Sequence, residues 1–299
     1  MHAFIQNLIN GLAAGSVYAL VALGYTMVYG VLQFINFAHS DIFMLGAFGG
    51  LYLASWLAGV HPQPLQLALI MIGTMAFCVI VALTVERIAY RPLRNAPRLN
   101  VLITAIGVSL FLENLSQVVF GADPQLFPSI IKTVPLLEGD DIILNNIQVL
   151  VVGVSLFLML ILHWIVHHTK LGTAMRAVSF DIQIASLMGI PTDLVIAFTF
   201  VIGSSLAGSA AILYGLSYPK IEPFLGVMIG LKAFVAAVFG GIGSIMGAAV
   251  GGIVLGLAEV FTVYYISSSF RDAIAFAILI VILLVRPQGL LGSVRKVKV

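Results

Sequence analysis

GYTMVYGVLQFINFAHSDIFMLGAFGG, residues 24–50, starts and finishes as membrane-spanning helix, yet Asn36, His39 and Asp41 crowd its centre. In hydrocarbon every polar group needs a partner inside the protein, so this stretch reads as a helix that is broken or re-entrant within a bundle. Its surroundings agree. The chain is 61% hydrophobic and only 9% charged, with a mean hydropathy of +1.13, whereas a soluble domain carries roughly 25% charged residues. Apolar runs of about 20 residues, the length that crosses a bilayer core, recur from end to end. The reading is an all-α, polytopic membrane bundle of eight to ten transmembrane helices, forming one domain over residues 1–299.

Punctuation by Pro, Gly and charge places helices at about 5–30, 35–59, 65–90, 100–120, 147–168, 191–214, 224–240, 244–266 and 272–286. The second is interrupted by polar residues, the seventh is packed with Gly and the ninth is short. Arg87, Arg91, Arg94 and Arg98 share one loop, Lys170 and Arg176 another, and Arg286, Arg295, Lys296 and Lys298 the tail; the opposite side holds Lys132, Lys220 and Arg271. By the positive-inside rule the first set is cytoplasmic, which puts the N-terminus outside and the C-terminus inside. MHAFIQNLIN lacks the basic start and small-residue cleavage site of a signal peptide, so the first apolar run is expected to stay as a helix. The outer loop at 121–148, with Glu138, Asp140 and Asp141, reads as a solvated connector or a short external helix able to receive a partner. Cys78 stands alone, which excludes an intrachain disulfide and a cysteine metal cluster and leaves a small packing residue.

GGIGSIMGAAVGGIVLG, residues 240–256, sets Gly243, Gly247 and Gly251 four apart, with Gly252 and Gly256 on the adjoining face. Such stripes let two helix backbones approach closely where lipid offers no hydrophobic contrast. Gly203, Ala207 and Ala211 repeat the pattern, as do Gly11 and Gly15. Gly240, Gly241 and Gly243 also read as a break between two helices.

Catalytic signatures are nearly absent. No Gly precedes any Lys, which removes the phosphate loop GxxxxGK[ST], and there is neither HExxH nor a paired-cysteine zinc spacing. His163 and His167 have the spacing of two metal ligands but no third, and with His168 they suit a helix C-terminus. Ionisable residues within spans cost at least about 2.5–3.5 kcal/mol each and face a bundle interior or an aqueous path. They are Asp41, Glu113 beside Asn114, Lys232 and Glu259. Lys232 needs a partner, and Glu113 or Glu259 could supply it; a structural ion pair and a place beside a translocation path are both open. On the cytoplasmic side, TKLGTAMRAVSFDIQIASLMGIPTDL at 169–194 is amphipathic at helical spacing through Met175, Val178, Ile182, Ala185, Leu187 and Met188. One helix over about 172–190, stopped by Gly189 and Pro191, would lie on the membrane surface or present a face to a soluble partner.

NGLAAGSVYALVALGYTMVYG, INFAHSDIFMLGAF, RAVSFDIQIASLMGIPTDLVIAFTFVIG, LKAFVAAVFGGIGSIMGAAVGGIVLGLAE and LVRPQGLLG, in this order, resemble the LivH-type permease subunits of branched-chain amino acid ABC importers. The resemblance covers nearly the whole chain. It implies an arrangement like that of the vitamin B12 importers. It also implies a divided pump in a bacterial or archaeal cytoplasmic (inner) membrane, with a second permease forming a heterodimer, two ATP-binding subunits and a soluble amino-acid-binding protein outside. ATP and Mg would be used by the partner subunits, with no cofactor bound by this chain and no nucleic acid involved. The family's cytoplasmic coupling helix carries an RA…A…GI pattern that falls here on Arg176, Ala177, Ala185, Gly189 and Ile190, with Asp181 and Ser186 between them. Where the family often has INFAHGE, Ser40 and Asp41 stand here. That stretch is either a polar helix start capped by Asn36 or Ser40, or, with His39, Asp41, Glu113, Asn114 and Lys232, part of the lining of a path for a zwitterion. The resemblance implies branched-chain or other neutral amino acids as substrate, with urea, short amides or sugars as alternatives. The rival from another class is a stand-alone ion-coupled transporter using Asp41, Glu113 and Glu259.

Overall fold

A computed structural model describes residues 2–94, 96–138 and 142–292. Asp140, Asp141, Arg295, Lys296 and Lys298 lie outside the described residues. The helices are α1 (His2–Leu32), α2 (Ala38–Trp56), α3 (Gln63–Val85), α4 (Arg98–Phe120), α5 (Asn146–His168), α6 (Lys170–Phe180), α7 (Ile182–Leu187), α8 (Thr192–Ser217), α9 (Leu225–Gly240), α10 (Ile245–Tyr265) and α11 (Arg271–Val285). All nine expected apolar helices form. Among the described residues seven segments are long and apolar enough to cross a membrane, α11 only together with the helical turn Ser268–Phe270 that runs into it. The two that fall short are α2, with His39 and Asp41 in its first turn, and α9, which has 16 residues.

Helix α1 is the axis of the bundle. It is buried over nearly all of Gly11–Val28 and packs closely on α10, where a side chain at Gly15 would come within 2.7 Å of the Ile253 Cα and one at Gly256 would collide with the Gly15 backbone. Gly247 and Gly251 instead face α9, against the backbone of Gly240 and Ala236. Gly203 of α8 lies on Gly24 of α1, and Ala211 meets Gly46 of α2. The small-residue stripes thus bring backbones together, since tight van der Waals contact is what holds helices together in lipid. Gly243 does not take part. It sits at φ +92° in the α9–α10 turn with nothing within 4 Å of a side chain placed there.

That turn is closed by the tail. Leu290 N–H donates to the Phe239 carbonyl at 2.8 Å and Leu291 N–H to the Gly240 carbonyl at 2.9 Å, so the PQGLLG segment satisfies carbonyls that the end of α9 leaves free. Gly241, at φ +106°, faces Gly292 at a distance no side chain would allow.

The outer loop departs from expectation. Among its described residues there is no helix; β2 (Pro135–Glu138) and β3 (Ile143–Asn145) form an antiparallel hairpin, while β1 (Gln125–Leu126) pairs with β4 (Lys220–Ile221). Pro135 and the β-favouring Val134 and Ile143 explain why the segment extends rather than coils.

Gly256→Val is expected to destabilise the bundle by at least about 1–3 kcal/mol through overpacking against α1. Gly107→Ala, which meets open space, should leave stability unchanged or raised. Thermal unfolding monitored by size-exclusion of detergent-solubilised protein checks the contrast; equal behaviour of the two variants would remove the packing argument.

Candidate functional site

Helix α1 stops at Leu32, and Gln33 turns the chain at φ +56°. Residues 33–37 then run back into the bundle without helical structure before α2 begins. The depth of that start follows from its neighbours. His39 lies over Gly24, eight residues before the end of α1 and so about 12 Å inside it. Its ring meets Tyr25 edge-on at 4.9 Å. Ser40 fits against Gly226 and Gly230 of α9, beside the Tyr25 hydroxyl. Two helices, α1 and α9, carry glycine where the polar residues press in.

Asn36, His39, Ser40 and Asp41 are all buried. The helix start is interrupted, but neither candidate caps it: α2 has no side-chain cap, and its first N–H groups bond within a tight turn, His39 N–H to the Asn36 carbonyl at 3.1 Å. The Ser40 hydroxyl donates to the Phe37 carbonyl at 2.9 Å, and Asn36 Oδ1 accepts the Tyr90 hydroxyl at 2.6 Å. Asp41 Oδ2 accepts the Ser109 hydroxyl of α4 at 2.5 Å. Asn36 Nδ2, His39 Nε2, Asp41 Oδ1 and Thr26 Oγ1 are buried with no hydrogen-bonding partner in the protein. Buried polar groups are normally paired, so this cluster has hydrogen-bonding capacity beyond what maintaining the fold consumes.

The other intramembrane candidates are elsewhere. Asn114 is exposed and donates to the Leu110 carbonyl of its own helix at 2.7 Å; its neighbour Glu113 is half-buried and does not pair with Lys232. Lys232 pairs with Glu259 of α10 and, at 2.7 Å, with Asp272 of α11. Glu259 also accepts the Tyr18 hydroxyl at 2.7 Å and the Arg271 Nε–H at 3.4 Å. Two cations and two carboxylates therefore balance where α1, α9, α10 and α11 meet. Asp272 and Arg271 close the network from the first turn of α11, where an acid favours the helix dipole.

The amphipathic segment at 169–194 is two helices, not one. The Asp181 backbone is extended, and its Oδ1 accepts the Gln183 and Ile184 N–H groups at 2.8 and 2.9 Å, ending α6 and starting α7. Gly189 at φ +81° closes α7: its N–H donates to the Ser186 carbonyl and the Ile190 N–H to the Ala185 carbonyl, the paired bonds of a left-handed helix stop. Met175, Val178 and Ala185 are buried, and Ala177 and Ile190 half-buried. Arg176 and Ser186 face solvent, with an apolar ridge of Phe180 (78% exposed), Leu187 (86%) and Met188 (77%).

Next to this pair is a cluster that sequence reasoning missed. The end of α3 widens into a π-helix over Glu86–Tyr90, which turns both of those residues inward. Glu86 pairs with Arg94, and Arg94 and Arg91 both hold Asp193 in the first turn of α8. A cavity of about 360 Å³ lies between this cluster, residues 33–34 and the α6–α7 junction. His163 and His167, by contrast, merely stack on one helix face at 4.2 Å.

A multi-pass helical bundle with a polar break at its centre and an apolar ridge beyond one end is built as a membrane transport subunit. A family model described as branched-chain amino acid transport system, permease component, matches residues 7–283. The LivH permease of the high-affinity branched-chain amino acid transport system of Salmonella typhimurium is 42% identical, over 97% of this chain and 96% of its own. The BraD permease of Pseudomonas aeruginosa is 39% identical over 98% and 97% respectively. Among solved structures, PsaBC from Streptococcus pneumoniae in complex with Fab aligns over 95% of this chain and 91% of its own, at 17% identity and a TM-score of 0.47. The chain belongs to the branched-chain amino acid transport permease family.

Lys232→Met is expected to impair folding, since stranding one member of a buried ion pair costs about 3–5 kcal/mol. Adding Glu259→Gln should recover part of the folded yield, whereas adding Glu113→Gln should recover none. Membrane insertion and detergent-stable yield of the three variants measure this.

Proposed function

We propose that this chain is one of two permease subunits of an ATP-driven importer for branched-chain or other neutral, apolar amino acids. Substrate arrives from a soluble binding protein outside, and separate ATPase subunits bind Mg and ATP in the cytoplasm. The observation that carries the reading is the exposure of Phe180, Leu187 and Met188 on α6–α7: a capped element beyond the end of the spans that leaves large apolar side chains uncovered suits a docking partner. Arg176 and Ser186 flank it. A chain without a phosphate loop needs such a partner to supply its energy.

The arginines at 87–98, together with Lys170 and Arg176, favour placing this end in the cytoplasm and the hairpin of β2 and β3 outside. Nine crossings then bring the N-terminus outside and the C-terminus inside. The interior polar cluster of Asn36, His39 and Asp41 contains one carboxyl and no lysine or arginine, as suits a zwitterion whose side chain is apolar; Glu113 and Asn114 would line the path from the face of α4. The two permeases form a heterodimer.

Tagged protein purified from its native membrane is expected to bring along a second permease and two ATPases, and the complex to hydrolyse ATP faster with leucine-loaded binding protein. Recovery of this chain alone, transporting on an ion gradient, would replace the importer by the stand-alone transporter.

Arg176→Ala and Gly189→Val are expected to lower uptake while leaving membrane insertion intact. At Gly189 a β-branched residue adds about 1–2 kcal/mol of backbone strain at the end of α7. Uptake at the unsubstituted rate in both variants would remove α6–α7 from energy coupling.

A further inference from the structure

The non-helical segment 33–37 touches three elements in sequence. At its start, Gln33 Nε2 donates to the Ser179 carbonyl in the last turn of α6, at 3.1 Å. In its middle, the Phe34 ring packs edge-on to Tyr90 at 5.3 Å, and Asn36 accepts the Tyr90 hydroxyl. At its end it becomes α2, whose first turn presses His39 and Ser40 between α1 and α9.

Beside this strap lies the half-open cleft of about 360 Å³, lined by Gln33, Phe34, Tyr90, Arg94, Ser179 and Asp181 among others, so it borders the strap, the end of α3 and the α6–α7 junction together. Of these elements, the end of α3 is anchored to α8 through Arg91, Arg94 and Asp193. The α6–α7 pair borders the other side of the same space. The strap is tied to both: to α6 through Gln33 and to the end of α3 through Asn36 and Tyr90. Gln33 is also the one non-glycine with positive φ among the described residues, a strained position that persists only where its surroundings hold it.

We propose that residues 33–37 transmit displacement of α6–α7 to the buried start of α2, with Gln33 and Tyr90 as positioning residues that set its throw. Pushed toward the membrane, α6 carries the strap inward through Gln33. Tyr90 acts as the pivot at Asn36, and the motion emerges as a shift of His39 and Ser40 in the glycine-lined slot formed by Gly24, Gly226 and Gly230. The strap thus joins the energy-coupling face to the polar centre without passing through a whole helix. This inference rests on the importer reading above.

The test uses the complete complex in proteoliposomes with leucine-loaded binding protein, reading leucine imported per ATP hydrolysed. Gln33→Ala and Tyr90→Phe, the latter keeping the ring packing on Phe34, are expected to assemble and to keep basal ATPase activity. Each should lower the transport-to-hydrolysis ratio by about fivefold, the effect of one hydrogen bond, and the double variant little further, because both act on one strap. A ratio equal to that of the unsubstituted complex in both variants overturns the proposal. Should either variant fail to assemble, Gln33→Cys with Ser179→Cys, joined by a short bifunctional methanethiosulfonate linker, replaces it; Cys78 is buried and does not compete. Joining them should raise the transport-to-hydrolysis ratio toward that of the unsubstituted complex and reduction lower it again, whereas a ratio unaffected by joining overturns the proposal. Absence of ATP-driven uptake by the unsubstituted complex would overturn the importer reading itself, and the strap with it.

Discussion

The structure depends on a helix that begins inside the protein. Because α2 starts about 12 Å below the end of α1, its first N–H groups and the side chains beside them lie where neither water nor lipid can satisfy them. Everything adjacent accommodates this. Gly24, Gly226 and Gly230 give up their side chains to make room, Ser109 reaches over from α4, and the end of α3 winds as a π-helix so that Tyr90 can reach Asn36. Non-helical backbone at membrane depth survives only when it is enclosed by protein in this way.

Charge is gathered into a mutually neutralising network at each end of the bundle. Lys232, Glu259, Arg271 and Asp272 neutralise one another where four helices converge, and Tyr18 fixes the geometry of Glu259. Glu86, Arg94, Arg91 and Asp193 do the same at the opposite end, in a more exposed setting. The first network removes charges from the hydrocarbon region. The second ties the end of α3 to the start of α8.

Much of this was legible in the residues. Apolar runs of bilayer length have one stable outcome in lipid, so the nine helices and the membrane class followed from composition alone, and the weak second and seventh segments proved to be those with polar or short helices. What was not legible was set by contacts distant in sequence or by competing signals. Lys232 demanded an acid, but only the packing of α9 on α10 could select Glu259 over Glu113. The apolar period of 172–190 runs straight through Asp181, and it masked a residue type well suited to starting a new helix. The arginines at 87–98 spoke of sidedness, which drew attention from Glu86 and Tyr90 on their inner border. A π-helix has no signature in periodicity, because a single wider turn shifts the pattern too briefly to register.

The tail has a consequence for assembly order. Its backbone supplies the last partners for the carbonyls of Phe239 and Gly240, yet during synthesis it follows the turn it closes by the whole of α10 and α11. Until then the inner end of the α9–α10 hairpin holds open hydrogen-bond acceptors. A released chain cut short before Leu290 therefore carries every helix of the bundle and still leaves that seam open, with two carbonyls unpaired at the end of α9.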